Sequence, residues 1–88
     1  MIRRHISFRG RVQGVGFRYR ACRAAAEFGC TGWVRNEYDG SVSMEIQGTE
    51  EQIEQVIQQI GQGRYVRIDS VESRDMPADE TESGFWAE

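Results

Sequence analysis

The spacing of hydrophobic and polar positions changes several times along the chain, and each change marks a predicted element. Residues 2–9 alternate in part, with Ile6 and Phe8 on one face and His5, Ser7 and Arg9 on the other, the signature of a half-buried strand. His5 then reads as an ordinary surface histidine. From Phe17 the period becomes helical. Phe17, Ala21, Ala24, Ala25 and Phe28 share one face, Arg20, Arg23 and Glu27 fall outside it, and Gly29 supplies a C-terminal stop. The charged residues of this amphipathic helix read as its solvated side, not as a binding face.

Thr31 to Asn36 and Gly40 to Gln47 read as two strands joined through Glu37, Tyr38, Asp39 and Gly40, where Asp-Gly supplies hairpin turn chemistry. Val42, Met44 and Ile46 alternate with Ser41, Ser43 and Glu45, so one face of the second strand packs and the other is wet. Thr49 is placed to cap a second helix, with Gln52 three positions on and Glu50 and Glu51 in the first turn, where the helix dipole favours acids. Its apolar stripe is Ile53, Val56, Ile57 and Ile60, and Gly61 and Gly63 end it. Val66 to Val71 is a fourth strand, Arg74 to Ser83 an acidic loop, and Phe85 and Trp86 a short final strand.

Strand, helix, strand, strand, helix, strand is satisfied by laying both helices on one face of a mainly antiparallel sheet of four to five strands. This is the ferredoxin-like α+β fold. In it the first two strands run parallel with the third between them, so their C-terminal ends share one edge of the sheet. Asn36 is thereby expected beside the segment that follows the first strand, two strand spacings or roughly 10 Å across.

The chain length of 88 residues predicts one domain over residues 1–88. The basic residues are eleven arginines and no lysine, set against fourteen acids for a net charge of −3. That balance argues against general attraction to nucleic acid or an anionic membrane. No run approaches the roughly 20 apolar residues of a membrane span, and residues 1–7 lack the apolar core of a signal peptide, so a cytoplasmic location is expected. With no large apolar stripe to spare, the domain is expected to be a monomer. Cys22 and Cys30 should lie roughly 10 to 12 Å apart, too far for a disulfide, and two reduced thiols are expected. The single histidine is remote from both, so no metal site and no cofactor are expected.

The candidate chemistry lies in Gly10 to Arg18, Gly-Arg-Val-Gln-Gly-Val-Gly-Phe-Arg, between the first strand and the first helix. Glycines permit positive φ and inward-pointing amides, and the following helix adds free N–H groups and the positive end of its dipole. Arg18 adds a planar guanidinium suited to paired hydrogen bonds with phosphate or carboxylate oxygens. Gly10, Gly14 and Gly16 fit neither Gly-x-Gly-x-x-Gly nor a Gly-Lys-Ser/Thr loop, so a nucleotide is not indicated. Arg11 and Arg35 read as solvated charges, and Trp33 and Tyr38 as packing and hairpin residues.

This segment, taken with Gly32-Trp33-Val34-Arg35-Asn36, then Asp39-Gly40-Ser41-Val42 and Gly48, resembles the acylphosphatase family in order and spacing. The resemblance implies metal-free hydrolysis of the carboxyl–phosphate bond of an acyl phosphate to a carboxylate and inorganic phosphate. The family's catalytic arginine and asparagine correspond to Arg18 and Asn36. Gln13, Gly14, Val15, Gly16, Phe17 and Arg18 would bind the phosphoryl group, and Asn36 would orient the attacking water. The chain departs from the usual family pattern at Cys30, at Arg64 after Gly63, and in its final Phe85-Trp86-Ala87-Glu88; Arg18 and Asn36 themselves match, and the departures bear on the last strand, the tail and any contact of the C-terminal carboxylate with the site. Two rival readings remain at this point. One is a non-catalytic module that keeps the anion pocket to recognise a partner. The other is an RNA binder, which would need exposed aromatics and basic residues on its central strands; Val42 to Gln47 supplies neither.

Overall fold

The computed structural model describes all 88 residues, as β1 (Ile2–Arg11), α1 (Phe17–Phe28), β2 (Thr31–Asn36), β3 (Val42–Gly48), α2 (Glu50–Gly61), β4 (Arg67–Met76) and β5 (Phe85–Ala87). One sheet in the order β4-β1-β3-β2-β5 carries both helices on one face. Its pairings are antiparallel except β2 with β5, which is parallel. The ferredoxin-like arrangement expected from the sequence is present, with a fifth strand at the edge.

The elements begin and end for local reasons. Gly29 closes α1 in the left-handed region at φ 75°, and the N–H of Cys30 returns to the Ala25 carbonyl. At α2 the Thr49 hydroxyl accepts from the Gln52 N–H at 3.1 Å, while the Gln52 side chain accepts from the Thr49 N–H at 2.8 Å, satisfying two donors that a helix start leaves free. Inside, the faces of β1 and β3 meet those of α1 and α2. Phe8 and Phe17, both sealed from solvent, pack edge to face with ring centroids 5.0 Å apart. Ile6, Met44, Ile46, Ile53 and Ile60 extend this core, and Cys30 joins it with its thiol pushed up to about 11 by burial. Cys22 and Cys30 are both unpaired.

Several strand boundaries differ from the sequence reading. β1 continues to Arg11, so Gly10 is a strand residue and not part of the loop. Pairing with β4 shifts at Arg9/Gly10, and there Gly10 takes φ 134°, where a Cβ would run into the Arg67 carbonyl oxygen. β3 starts at Val42, two residues after Gly40. β4 continues to Met76, because the whole length of β1 is open to it: Arg3 pairs with Met76 at one end and Arg11 with Arg67 at the other. The acidic loop is shorter in consequence.

What remains of that loop is tied across the helix-free face of the sheet. The Asp79 N–H donates to the Gln47 side chain at 2.7 Å, and Gln47 donates back to the Asp79 carbonyl at 2.9 Å. Arg3, only 5 % exposed, grips Glu82 at 2.6 Å and Glu45 at 3.1 Å. His5 joins the same cluster, which the alternation pattern did not foretell. Its Nδ1 lies 3.0 Å from Glu45 Oε2, and its ring meets Trp33 edge-on.

The hairpin after β2 depends on Asp39. Its carboxylate accepts from the Ser41 hydroxyl at 2.6 Å and the Ser41 N–H at 3.0 Å, and Arg9 donates to it at 3.1 Å. These contacts, the Ser41 hydroxyl foremost, lower its pKa from 3.8 to about 2. A depressed acid stabilises the fold fully above its unfolded pKa, and that contribution fades as pH falls through the folded value. Asp39→Asn is therefore expected to lower the melting temperature most above pH 4, with the two proteins converging near pH 2. Thermal melts at pH 7, 4 and 2 check this, and a gap that does not change with pH would contradict it.

Candidate active site

Residues 12–16 leave the end of β1 and turn into α1 with Gly14 at φ 72° and Gly16 at φ 82°. A Cβ at either position would meet nothing within 4 Å, so backbone conformation, not space, demands glycine there. These left-handed residues direct a run of main-chain donors outward. The N–H groups of Gln13 to Tyr19 find no acceptor within the chain, and the first internal bond of the helix is from Arg20 N–H to the Gly16 carbonyl. Unpaired donors at a helix start form a local positive field suited to a multiply charged oxyanion.

The loop is held by its own Gln13. The side-chain amide donates to the Glu37 carbonyl at 2.7 Å and to the Ser41 carbonyl at 2.9 Å, stitching the segment to both sides of the β2–β3 hairpin. The amide is thus committed to the scaffold, which fixes how the main chain of residues 13–16 is displayed.

A cavity of about 190 Å³ opens between loop and sheet, and Val12, Gly14, Gly16, Phe17 and Tyr19 line it together with Arg18 and Asn36. At ~30 Å³ per water, it has room for a phosphoryl group and an adjacent water. Asn36 ends β2, and its side-chain amide is engaged by no other residue. Arg18 stands in the first turn of α1, exposed, with Nη1 donating to the Glu88 main-chain oxygen at 2.8 Å. The Glu88 N–H is in turn bonded to the Val34 carbonyl, extending the β2–β5 ladder. One Arg18 nitrogen is therefore spent on orientation, and the rest of the guanidinium is free. Cys22, one turn further along α1, feels this charge: burial pushes its thiol up, and Arg18 pulls it partly back.

Of the residues expected at the site, Arg18, Asn36, Gly14, Gly16 and Phe17 share the cavity wall. Val15 does not. It turns to the other side of the loop, packing partly on the core and lining a second cavity. Gln13 is absent from the wall as well. Val12 and Tyr19 belong to the surroundings of the site without having been singled out, and the Glu88 main chain, at the end whose departure from the family pattern bore on such a contact, reaches Arg18. The signal for Glu88 was topological, because a strand added parallel to β2 must finish at the same sheet edge as Asn36. Nowhere do three His, Cys, Asp or Glu side chains gather in a way that could hold a metal ion.

Replacing Gln13 by Ala removes two side-chain hydrogen bonds to partly buried carbonyls, each worth about 0.5–1.5 kcal/mol net. A loss of about 1–3 kcal/mol in urea unfolding is expected. A change below about 0.3 kcal/mol would show that the loop holds its shape without this tie.

Comparison with known proteins points to one family over nearly the whole chain. The family model described as acylphosphatase matches residues 4–86. An acylphosphatase of Bifidobacterium longum is 42% identical over 87 residues, covering 97% of this chain and 90% of that protein. One from Nitrobacter winogradskyi is 43% identical over 76 residues, covering 85% and 77%. The crystal structure of acylphosphatase from Bacillus subtilis superposes with a TM-score of 0.89 at 28% identity, over 99% of this chain and 98% of that one.

Proposed function

The chain belongs to the acylphosphatase family and hydrolyses the carboxyl–phosphate bond of acyl phosphates, and we propose that Arg18, Asn36 and the main-chain amides of residues 13–18 carry out this reaction without a metal. The observation that carries the assignment of roles is the shared 190 Å³ cavity, which joins a free guanidinium, a free carboxamide and unpaired N–H groups on one sheet edge.

The chemistry asks little more of the protein. Phosphoryl transfer spreads charge over three equatorial oxygens while nucleophile and leaving group stay in line. The loop amides and Arg18 receive those oxygens, and because they are oriented beforehand they need no reorganisation as charge develops. Asn36 accepts a hydrogen bond from the water through its side-chain oxygen and holds it opposite the P–O bond to be broken. That bond breaks with its electron pair leaving on a carboxylate, and the water oxygen becomes the fourth oxygen of inorganic phosphate, which takes up or releases the proton. A carboxylate is a weak base with a pKa near 4, so it departs without a general acid. Proximity and electrostatics supply the rate enhancement.

The same proposal includes a single domain over residues 1–88 acting as a monomer in the cytoplasm, with no nucleic-acid partner. The net charge of −3 and the two unpaired cysteines support it, and no helix is long and apolar enough to cross a membrane.

Arg18→Ala is expected to lower kcat/KM for acetyl phosphate about 10³-fold or more, the scale of a charged group at a phosphoryl transition state. Asn36→Ala is expected to lower kcat about 10²- to 10³-fold with little change in KM, because a water-orienting group acts mainly after substrate binds. EDTA should leave wild-type turnover intact. Turnover that survives either substitution would remove that residue from the mechanism, and loss with EDTA would overturn the metal-free reading.

A further inference from the structure

The larger cavity on the other side of the loop has a volume of about 420 Å³ and shares two residues, Gly16 and Tyr19, with the site wall. Tyr19 thus borders both spaces. The remainder of the second cavity is formed by Val15, Arg20, Arg23, Glu27 and, from α2, Gln59.

Its charge is unbalanced. Neither Arg20 nor Arg23 has an ion-pair or hydrogen-bond partner in the chain, and Arg23 rests over the Tyr19 ring at 5.7 Å. Glu27, the one carboxylate on the wall, is turned to α2, where Gln59 donates to it at 3.3 Å. The helix dipole does not account for Arg20 either. Acids stabilise a helix start and cations oppose it. α2 follows that rule with Glu50 and Glu51, whereas α1 has no acid in its first turn and places Arg18 and Arg20 there, with Arg23 just past its midpoint. A departure from local preference in an otherwise consistent sequence marks a functional surface. Arg18 is already accounted for by the phosphoryl site. Arg20 and Arg23 are not.

We propose, building on the acyl phosphate reading above, that this second cavity receives the acyl arm of the substrate and selects arms that end in a second anionic group, met by Arg20 and Arg23. The phosphoryl group sits on one side of Tyr19 and the arm passes over its ring to the other. Carboxylate and phosphoryl termini have this chemistry in common, and a neutral arm of equal length lacks it. Arg20 and Arg23 take no part in bond breaking; they set which acyl phosphate is preferred.

The test compares succinyl phosphate and 3-phosphonopropionyl phosphate, which carry the two kinds of anionic terminus, with butyryl phosphate as the neutral arm. At low ionic strength the wild type is expected to favour at least one anionic arm over butyryl phosphate by about tenfold in kcat/KM. The larger of the two ratios identifies the terminus. The ratio should shrink in 0.5 M salt, since exposed charges are screened. Arg20→Gln combined with Arg23→Gln should bring it to about one. Arg20→Lys with Arg23→Lys should keep most of it, and Arg74→Gln, on β4 at the far edge of the sheet, should keep all of it. A wild-type ratio of one or less for both arms overturns the proposal, as does a ratio that survives the double Gln variant or is lost equally in Arg74→Gln. Butyryl phosphate hydrolysis separates this proposal from its premise. Turnover without preference removes the subsite alone, whereas no turnover of any of the three removes the acyl phosphate reading and the subsite with it.

Discussion

Val42, the first residue of β3, is fully buried and pairs with Phe8 of β1 on one side and Asn36 of β2 on the other. The three residues form one rung across the middle of the sheet, and the rest of the site depends on it. Side chains alternate faces along a strand, so a slip of one residue in either pairing would reverse Asn36 relative to the loop and turn Phe8 out of the core. The rung is held from both ends. Below it, Met44 and Ile46 are locked under the helices; beyond it, Gln13 bonds to carbonyls on either side of the hairpin. The position of Asn36 is therefore a property of the packed sheet and not of its turn.

The same frame sorts the arginines by function. On the helix-free face, Arg3 is buried between Glu82 and Glu45, and His5 shares Glu45 with it. This cluster fastens the segment leading to β5, and β5 carries the chain to Glu88 beside Arg18. On the helix side Arg20 and Arg23 of α1 have no carboxylate partner, and Arg18 meets only the Glu88 main-chain oxygen. A net-negative chain has thus compensated the cations that fasten its sheet, whereas Arg20 and Arg23 beside the second cavity carry no counter-charge. The site needs no basic protein around it, since its field comes from oriented amides and a few guanidinium groups at short range.

Periodicity was sufficient for the helices and central strands because their apolar faces are buried on one side only, the condition under which alternation can be read. α1 begins and ends at the expected Phe17 and Phe28, and the Thr49–Gln52 cap is present. It found β4 but stopped it at Val71, because most residues of that strand are exposed and what carries it on to Met76 is the free edge of β1 and not its own pattern. Gly10 was misplaced for a related reason, since its need for glycine comes from the Arg67 carbonyl on a strand distant in sequence. At the site, residue identities and order sufficed to bring Arg18 and Asn36 together. Division of labour within the loop was not legible, because whether Gln13 and Val15 face the cavity depends on the φ values of Gly14 and Gly16 and on hairpin carbonyls that no local pattern reveals.

The pairing of β1 with β4 also bears on how the chain comes together. The first strand finds its outer partner only near the other end of the sequence, Arg3 meeting Met76, while its inner partner β3 lies beyond a crossover helix and another strand. No strand of the sheet pairs with its neighbour in sequence except across the Asp39 hairpin. Such long-range closure slows folding, because loop entropy is lost before the contacts that offset it form. Until β4 docks, β1 carries an open row of main-chain donors and acceptors, so the nascent chain passes through a stage more vulnerable to aggregation than the finished fold.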